Sequence, residues 1–188
     1  ALLELLSAAG DGAHRDDVYA LSVAIDDDGE DGRLEVDVDA GLDLLSDIGV
    51  IAERSGTLAF ASSRLRDAIA RTAPPAWMTR IHRAALVRAR ARGDRAAIAD
   101  HAEHAGQPDI AIEALRAVAG DALTHGAVVD AERAATRLLA LARPDETVAA
   151  RLLRARARYR QGRFTDAVDD LETALRLGEG SARVAFLD

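Results

Sequence analysis

Cysteine is absent from this chain, and with it any disulfide framework or thiolate metal site. Lysine is absent as well: all 24 basic residues are arginine. No phosphate loop of the form G-x-x-x-x-G-K-[ST] occurs, so these residues are not expected to hydrolyse a nucleotide. No apolar run reaches membrane-spanning length, and no charged-then-apolar leader precedes a cleavage site. A cytoplasmic location without membrane attachment is the expectation. The exclusive use of arginine, together with abundant alanine, reads as the coding bias of a GC-rich bacterial genome. The chain opens on Ala1 rather than methionine and so reads as a segment of a longer protein.

Catalytic chemistry is equally hard to place. No serine has a His/Asp partnership identifiable from sequence, and no carboxylate pair stands out from the general acidity. His101 and His104, three residues apart, share a helix face, but no third ligand joins them. Histidines packed between helices or lying at a solvent edge are the plainer reading, and no metal or cofactor is expected.

The net charge of −8 hides a division. Residues 1–56 hold 15 acids against 3 arginines, a net −12, whereas residues 57–188 hold 17 acids against 21 arginines, a net +4. Such asymmetry predicts two modules, and Pro74–Pro75 is the clearest internal boundary. The expected domains are therefore residues 1–73 and 74–188.

In the first, Leu2, Leu3, Leu5 and Leu6 open a helix that closes near Gly10 and Gly12. A second helix begins at Asp16–Asp17 and carries Val18, Leu21 and Ile25 inward. The run from Asp26 to Gly32 reads as a solvated loop, because Asp31 stands where a calcium loop needs glycine and no glutamate closes it. Residues 37–48 form a third helix with Val38, Leu42, Leu44, Leu45 and Ile48 apolar. Two strand-like runs joined at Ser55–Gly56 follow, and then a helix over 65–73. Three helices and a hairpin are the winged-helix plan. The third helix, however, carries Asp37, Asp39, Asp43 and Asp47, with no basic residue between Arg33 and Arg54. Carboxylates facing phosphates oppose the electrostatic attraction on which nucleic-acid binding rests, so a spacer role is preferred to a DNA reader.

In the second, helices are predicted over 76–92, 96–105, 109–125 and 129–142, and the stretch from Arg160 to Leu177 reads as helix end, glycine turn and helix. In that last helix Ala167, Val168, Leu171, Ala174 and Leu175 make one apolar stripe, with Asp169, Asp170, Glu172 and Arg176 off it, and Thr165 is a candidate cap. Gly162, Phe164, Ala167, Leu171 and Ala174 fall where a tetratricopeptide (TPR) unit places its glycine, aromatic, small and large residues. Tyr159 precedes the glycine by three positions rather than the usual four. Gly126 and Ala131 repeat this pattern 36 residues earlier, and Gly106–Gln107–Pro108 resembles a degenerate third copy. The expected fold is mainly α: a winged-helix domain with a small β-hairpin followed by a TPR-like α-solenoid.

The order of modules resembles the region behind the nucleotide-binding domain of STAND-class signalling ATPases. These include the large ATP-binding LuxR-type transcription regulators and ATPase-linked bacterial serine/threonine kinases. Leu65-Arg66-Asp67-Ala68, Ile81-His82, His101 and Gly106 carry that resemblance, whereas serine stands at 62 and 63 where the family often has histidine. The resemblance implies a non-catalytic regulatory or sensor module. Its partners would be a protein or peptide, the parent protein's own ATPase domain, or a small-molecule inducer. A free-standing TPR scaffold and a DNA-binding winged helix are the alternatives. Arg151, Arg154 and Arg158, at i, i+3 and i+7 beside Tyr159, are the candidate partner-binding residues: as part of the first helix of a TPR unit they would line its groove and hold an acidic ligand. The plainer reading of these arginines is a solvated face balanced by Asp166, Asp169, Asp170 and the acidic first module.

Overall fold

A computed structural model describes residues 1–10, 13–27 and 37–178. Most of the Asp26–Gly32 acidic run lies outside the described residues, although Asp26 and Asp27 end a helix. Among the described residues there are ten helices and three short strands. The helices are α1 (Leu2–Ala9), α2 (Arg15–Asp27), α3 (Val38–Asp47), α4 (Ser63–Thr72), α5 (Pro75–Arg92), α6 (Arg95–His104), α7 (Pro108–Thr124), α8 (Val128–Leu141), α9 (Pro144–Arg160) and α10 (Phe164–Gly178). The strands β1 (Ala13–His14), β2 (Ile51–Arg54) and β3 (Thr57–Phe60) form one antiparallel sheet in the order β1-β3-β2. The fold is thus mainly helical with one small sheet.

The chain divides into two compact units: Ala1–Ala91 with His104–Gly106, and Arg92–Glu103 with the residues from Gln107 onward. The break therefore comes after Ala91 and not at Pro74–Pro75. Pro75 occupies the start of α5, where its missing N–H costs nothing and its fixed φ suits a helix. The body of α5 then belongs to the first unit. Ile81 and Ala85 join Leu5, Val18, Leu42 and Leu58 in its core. Trp77 Nε1 donates to Glu4 Oε2 at 2.7 Å, and Arg88 Nη2 pairs with Asp17 Oδ1 at 2.9 Å.

In that unit Ile51 pairs with Phe60 and Arg54 with Thr57, as the hairpin signal at Ser55–Gly56 predicts. The third strand was not legible: β1 is two residues long and pairs Ala13 with Leu58. Helix α3 lies against α1, because a Cβ on Gly41 would stand 2.6 Å from Leu2 Cδ2.

In the second unit α7 packs on α8, α8 on α9 and α9 on α10. Alanine dominates the contacts: Ala99, Ala119, Ala135 and Ala150 surround Ile112, Leu115 and Leu138 in one cluster, and Ala131 and Ala157 join Leu123 in another. Small side chains let helix backbones approach closely, and the few large ones fill the remaining space. The turns after α7 and α9 share one geometry. Gly126 and Gly162 have φ of 77° and 76°. The Ala127 and Arg163 amides reach back to the Ala122 and Arg158 carbonyls at 2.8 and 2.9 Å. These are helix-closing hydrogen bonds that a left-handed residue makes possible. Gly106, expected as an earlier copy, closes its helix in the same way, with φ of 69° and the Gln107 amide on the Ala102 carbonyl at 2.9 Å. It lies between α6 and α7, and Gly93, 33 residues before Gly126 and also at positive φ, lies between α5 and α6. Thr165 is displaced from its expected capping role, because α10 already begins at Phe164.

A paired substitution tests the turn. Gly162 and Gly120 both have open space around a notional Cβ, but only Gly162 has positive φ. Gly162→Ala should lower stability by about 1–2 kcal/mol. Gly120→Ala, in the middle of α7, should raise it by about 0.5–1 kcal/mol. Urea denaturation followed by circular dichroism reads both, and equal signs would refute the backbone argument.

Candidate functional site

Helix α9 turns Ala150, Leu152, Ala155 and Ala157 into the core. Arg151, Arg154 and Arg158 lie on the side that faces its successor α10, and all three converge on one carboxylate. Arg154 is bidentate, with Nε to Asp170 Oδ2 at 2.8 Å and Nη2 to Oδ1 at 2.6 Å. Arg151 Nη1 donates to Oδ1 at 2.9 Å, and Arg158 Nη1 to Oδ2 at 2.9 Å. Asp170 is 1% exposed and ranks among the largest fully buried side chains. Its two oxygens accept four hydrogen bonds, which is about the full capacity of an ionised carboxylate.

The network continues from Arg158. Its Nε donates to Glu132 Oε1 on α8 at 2.8 Å. Glu132 also accepts from Gln161 Nε2 at 3.0 Å and from Arg163 Nη1 at 2.7 and 2.8 Å. Arg163 in turn binds Asp166 at the start of α10, Nε to Oδ2, at 2.7 Å. One chain of ion pairs thus links α8, α9, the Gly162 turn and α10. Burial pushes the Glu132 carboxyl up. The hydrogen bonds from Arg158 and Gln161, with the charges of Arg163 and Arg158, outweigh that and hold it below its ordinary value.

The expected roles change accordingly. The Arg151, Arg154 and Arg158 side chains are engaged with a neighbouring helix of their own chain, so they are a packing device before they are anything else. Asp170 was placed off the apolar stripe, yet it sits on the buried face between Ala167 and Ala174. The signal was there in its spacing, three after one buried alanine and four before the other. Arginines at i, i+3 and i+7 on α9 are the complement of that lone acid.

Of the repeat positions, Ala131, Ala167 and Ala174 are buried and Leu171 is half-buried. Phe164 does not fill core space: it is 59% exposed and meets Tyr159, itself 56% exposed, edge to face at 5.4 Å between centroids. Val168 and Leu175, expected on the buried stripe, are exposed too. His104 stacks on the buried His82 with centroids 4.6 Å apart. Among the described residues no cluster of three or more His, Cys, Asp or Glu side chains could hold a metal ion, and no helix is long and apolar enough to cross a membrane. Comparison of the chain with protein-family models, with curated proteins and with solved structures gave no match.

Three variants test this geometry. Asp170→Ala takes the shared carboxylate from three clustered guanidinium groups, leaving Arg158 with Glu132, and should cost about 3–5 kcal/mol. Phe164→Ala should cost about 1 kcal/mol or less, far below the loss of a buried aromatic. Urea melts of the two variants that rank the other way would overturn the assignment of the packing centre to Asp170. The depressed Glu132 carboxyl stabilises the fold in its ionised form. Its contribution is complete above the ordinary carboxylate value and is lost as pH falls through that range to the lower folded-state value. Glu132→Gln should therefore be less stable than the parent at neutral pH, with the difference shrinking as the solution is acidified below about pH 4.3. A difference independent of pH would show that Glu132 acts by shape alone.

Proposed function

We propose that the chain is a non-catalytic regulatory module whose second unit recognises a protein partner through the outer face of α10. The observation that carries this reading is the apolar face that stands uncovered there among the described residues. On α8, Ala135 and Leu138 join Ala150 of α9 in one core cluster, and Leu139 packs against it. Of the counterpart positions 36 residues later on α10, Ala174 is buried with Leu152 and Leu171 packs against them, but Leu175 is exposed. There Phe164, Val168 and Leu175, which share one side of the helix, stand exposed, with Tyr159 beside Phe164. Exposed aromatic and aliphatic side chains grouped on one helix are the composition of a protein contact.

Two packed pairs of consecutive helices, α7–α8 and α9–α10, support a TPR-like reading of the second unit. Their connecting glycines, Gly126 and Gly162, are 36 residues apart. In the first unit the element order α1-β1-α2-α3-β2-β3 supports the winged-helix reading. Together they agree with a sensor region of a STAND-class signalling ATPase, in which the partner is another protein or the parent's own ATPase domain. The arginine face of α9 contributes to that role by holding α10 in place and not by binding the ligand.

A photo-crosslinking residue at position 168 is expected to trap one discrete protein partner in the cell that makes the chain. The same residue at Arg133, on α8, should not. Phe164→Glu should remove the position-168 product while leaving the helical circular dichroism unchanged. Equal products at both positions would sink the proposal. Tight, sequence-dependent DNA binding in a low-salt gel shift would replace it with a nucleic-acid function.

A further inference from the structure

Helix α3 buries only Val38 and Leu42 fully. Ala40, Leu44 and Ile48 fall at i, i+4 and i+8 and make an outward ridge in which Leu44 is 61% and Ile48 62% exposed. The core of the unit accounts for Val38, Leu42 and Leu45, but packing among the described residues gives no reason for two large aliphatic residues one turn apart in water. The next ridge round the helix is Asp39, Asp43 and Asp47, all exposed. Arg15, at the start of α2, gathers part of it: Nη1 lies 3.7 Å from Asp39, Nη2 2.7 Å from Asp43 and Nε 2.9 Å from Glu53 of β2. One guanidinium facing three carboxylates leaves that side negative and holds Asp43 in a fixed position.

We propose that this face of α3 docks a basic amphipathic helix of a partner protein. Residues spaced by four form the ridges that interlock when two helices pack, and here one ridge is apolar and the adjacent one is carboxylate. The matching surface is a helix whose leucine-like side chains at i and i+4 sit between Leu44 and Ile48, with arginine or lysine on its neighbouring ridge above Asp39, Asp43 and Asp47. Charge selects among the alternatives. Nucleic acid and anionic membranes meet aspartates with like charge. A second copy presenting the same face sets one aspartate ridge against another. The contact is a single helix face, so it belongs to the small, salt-sensitive class of interfaces. It lies on the first unit, and its failure would leave the α10 proposal standing.

The test uses the whole chain and a synthetic capped alanine-based peptide of about 18 residues, long enough to hold a helix in water. The peptide carries leucine on one i, i+4, i+8 ridge and arginine on the next. At low salt it should bind saturably with one-to-one stoichiometry, and its amide shift changes in NMR spectra should centre on α3. Leu44→Glu with Ile48→Glu should weaken binding about tenfold or more, and so should Asp47→Arg. These positions are exposed, so an unchanged circular dichroism spectrum separates lost docking from lost fold. A peptide with glutamate in place of arginine should not bind, nor should one with alanine in place of leucine. Binding indifferent to the α3 substitutions, or shift changes that map elsewhere, would overturn the proposal. Concentration-dependent self-association of the chain that Leu44→Glu abolishes would also overturn it, by assigning the face to a second copy.

Discussion

A carboxylate taken out of water must recover its hydration from the protein or it cannot remain charged, and Asp170 recovers it from three arginines on one neighbouring helix. Much of the second unit follows from that requirement. Ala167 and Ala174, the buried alanines of α10, offer α9 a smooth surface that many registers would satisfy. Four directional hydrogen bonds between them permit only one. The ion pairs running on through Arg158 and Glu132 extend the same constraint to α8. Alanine supplies close approach in this region, and the Asp170 network supplies uniqueness. A well-packed leucine at 170 would match it in stability more readily than in register, because apolar contact has no preferred direction.

The network also settles how the arginines of α9 are to be read. A helix bearing Arg151, Arg154, Arg156, Arg158 and Arg160 looks from its composition like an anion-binding surface. A guanidinium engages an external acid only to the extent that its donors are not already engaged, and Asp170 takes donors from three of these five. An incoming carboxylate would have to displace one that is covalently fixed on the adjacent helix and excluded from water. Recognition in this unit is better served by the apolar residues that the network leaves outside, those around Phe164 on the proposed contact face.

Local signals were legible in the sequence and cross-helix ones were not. Helix positions followed from apolar periodicity and turn glycines, so that α5 to α8 were expected within a residue or so of where they lie. The hairpin followed from Ser55–Gly56. What escaped depends on a partner distant in sequence. Strand β1 is two residues that become a strand only because β3 is beside them. Pro74–Pro75 looked like a domain boundary because proline stops one helix, but it begins the next just as well, and Ile81 then commits α5 to the first core. Asp170 looked solvated because acids usually are; its meaning required the arginines 12 to 19 residues before it to be aimed at it. Phe164 failed in the opposite direction. A repeat position is buried only when something covers it, and within the described residues nothing large does.

Net charge gives the same lesson at the scale of a whole unit. The second unit holds 14 arginines, which in isolation suggest a basic surface, against 16 acids, a net −2. The second unit nevertheless sets arginine against acid throughout: Arg95 pairs with Asp121, Arg116 with Glu146, Arg137 with Asp100 and Glu103, and Arg143 with Asp109. The burial that would weaken the charge of Arg137 is overcome by Asp100, so the pairing strengthens the cation it neutralises. Charge spent in this way builds the unit and projects little field. On α3 the balance is reversed, because Arg15 faces more carboxylate than it can neutralise and the surplus stands on an exposed ridge beside Leu44 and Ile48. Pairing, more than the count of charges, therefore decides where an external charged partner can be held, and it points to the acidic helix and away from the arginine-rich one.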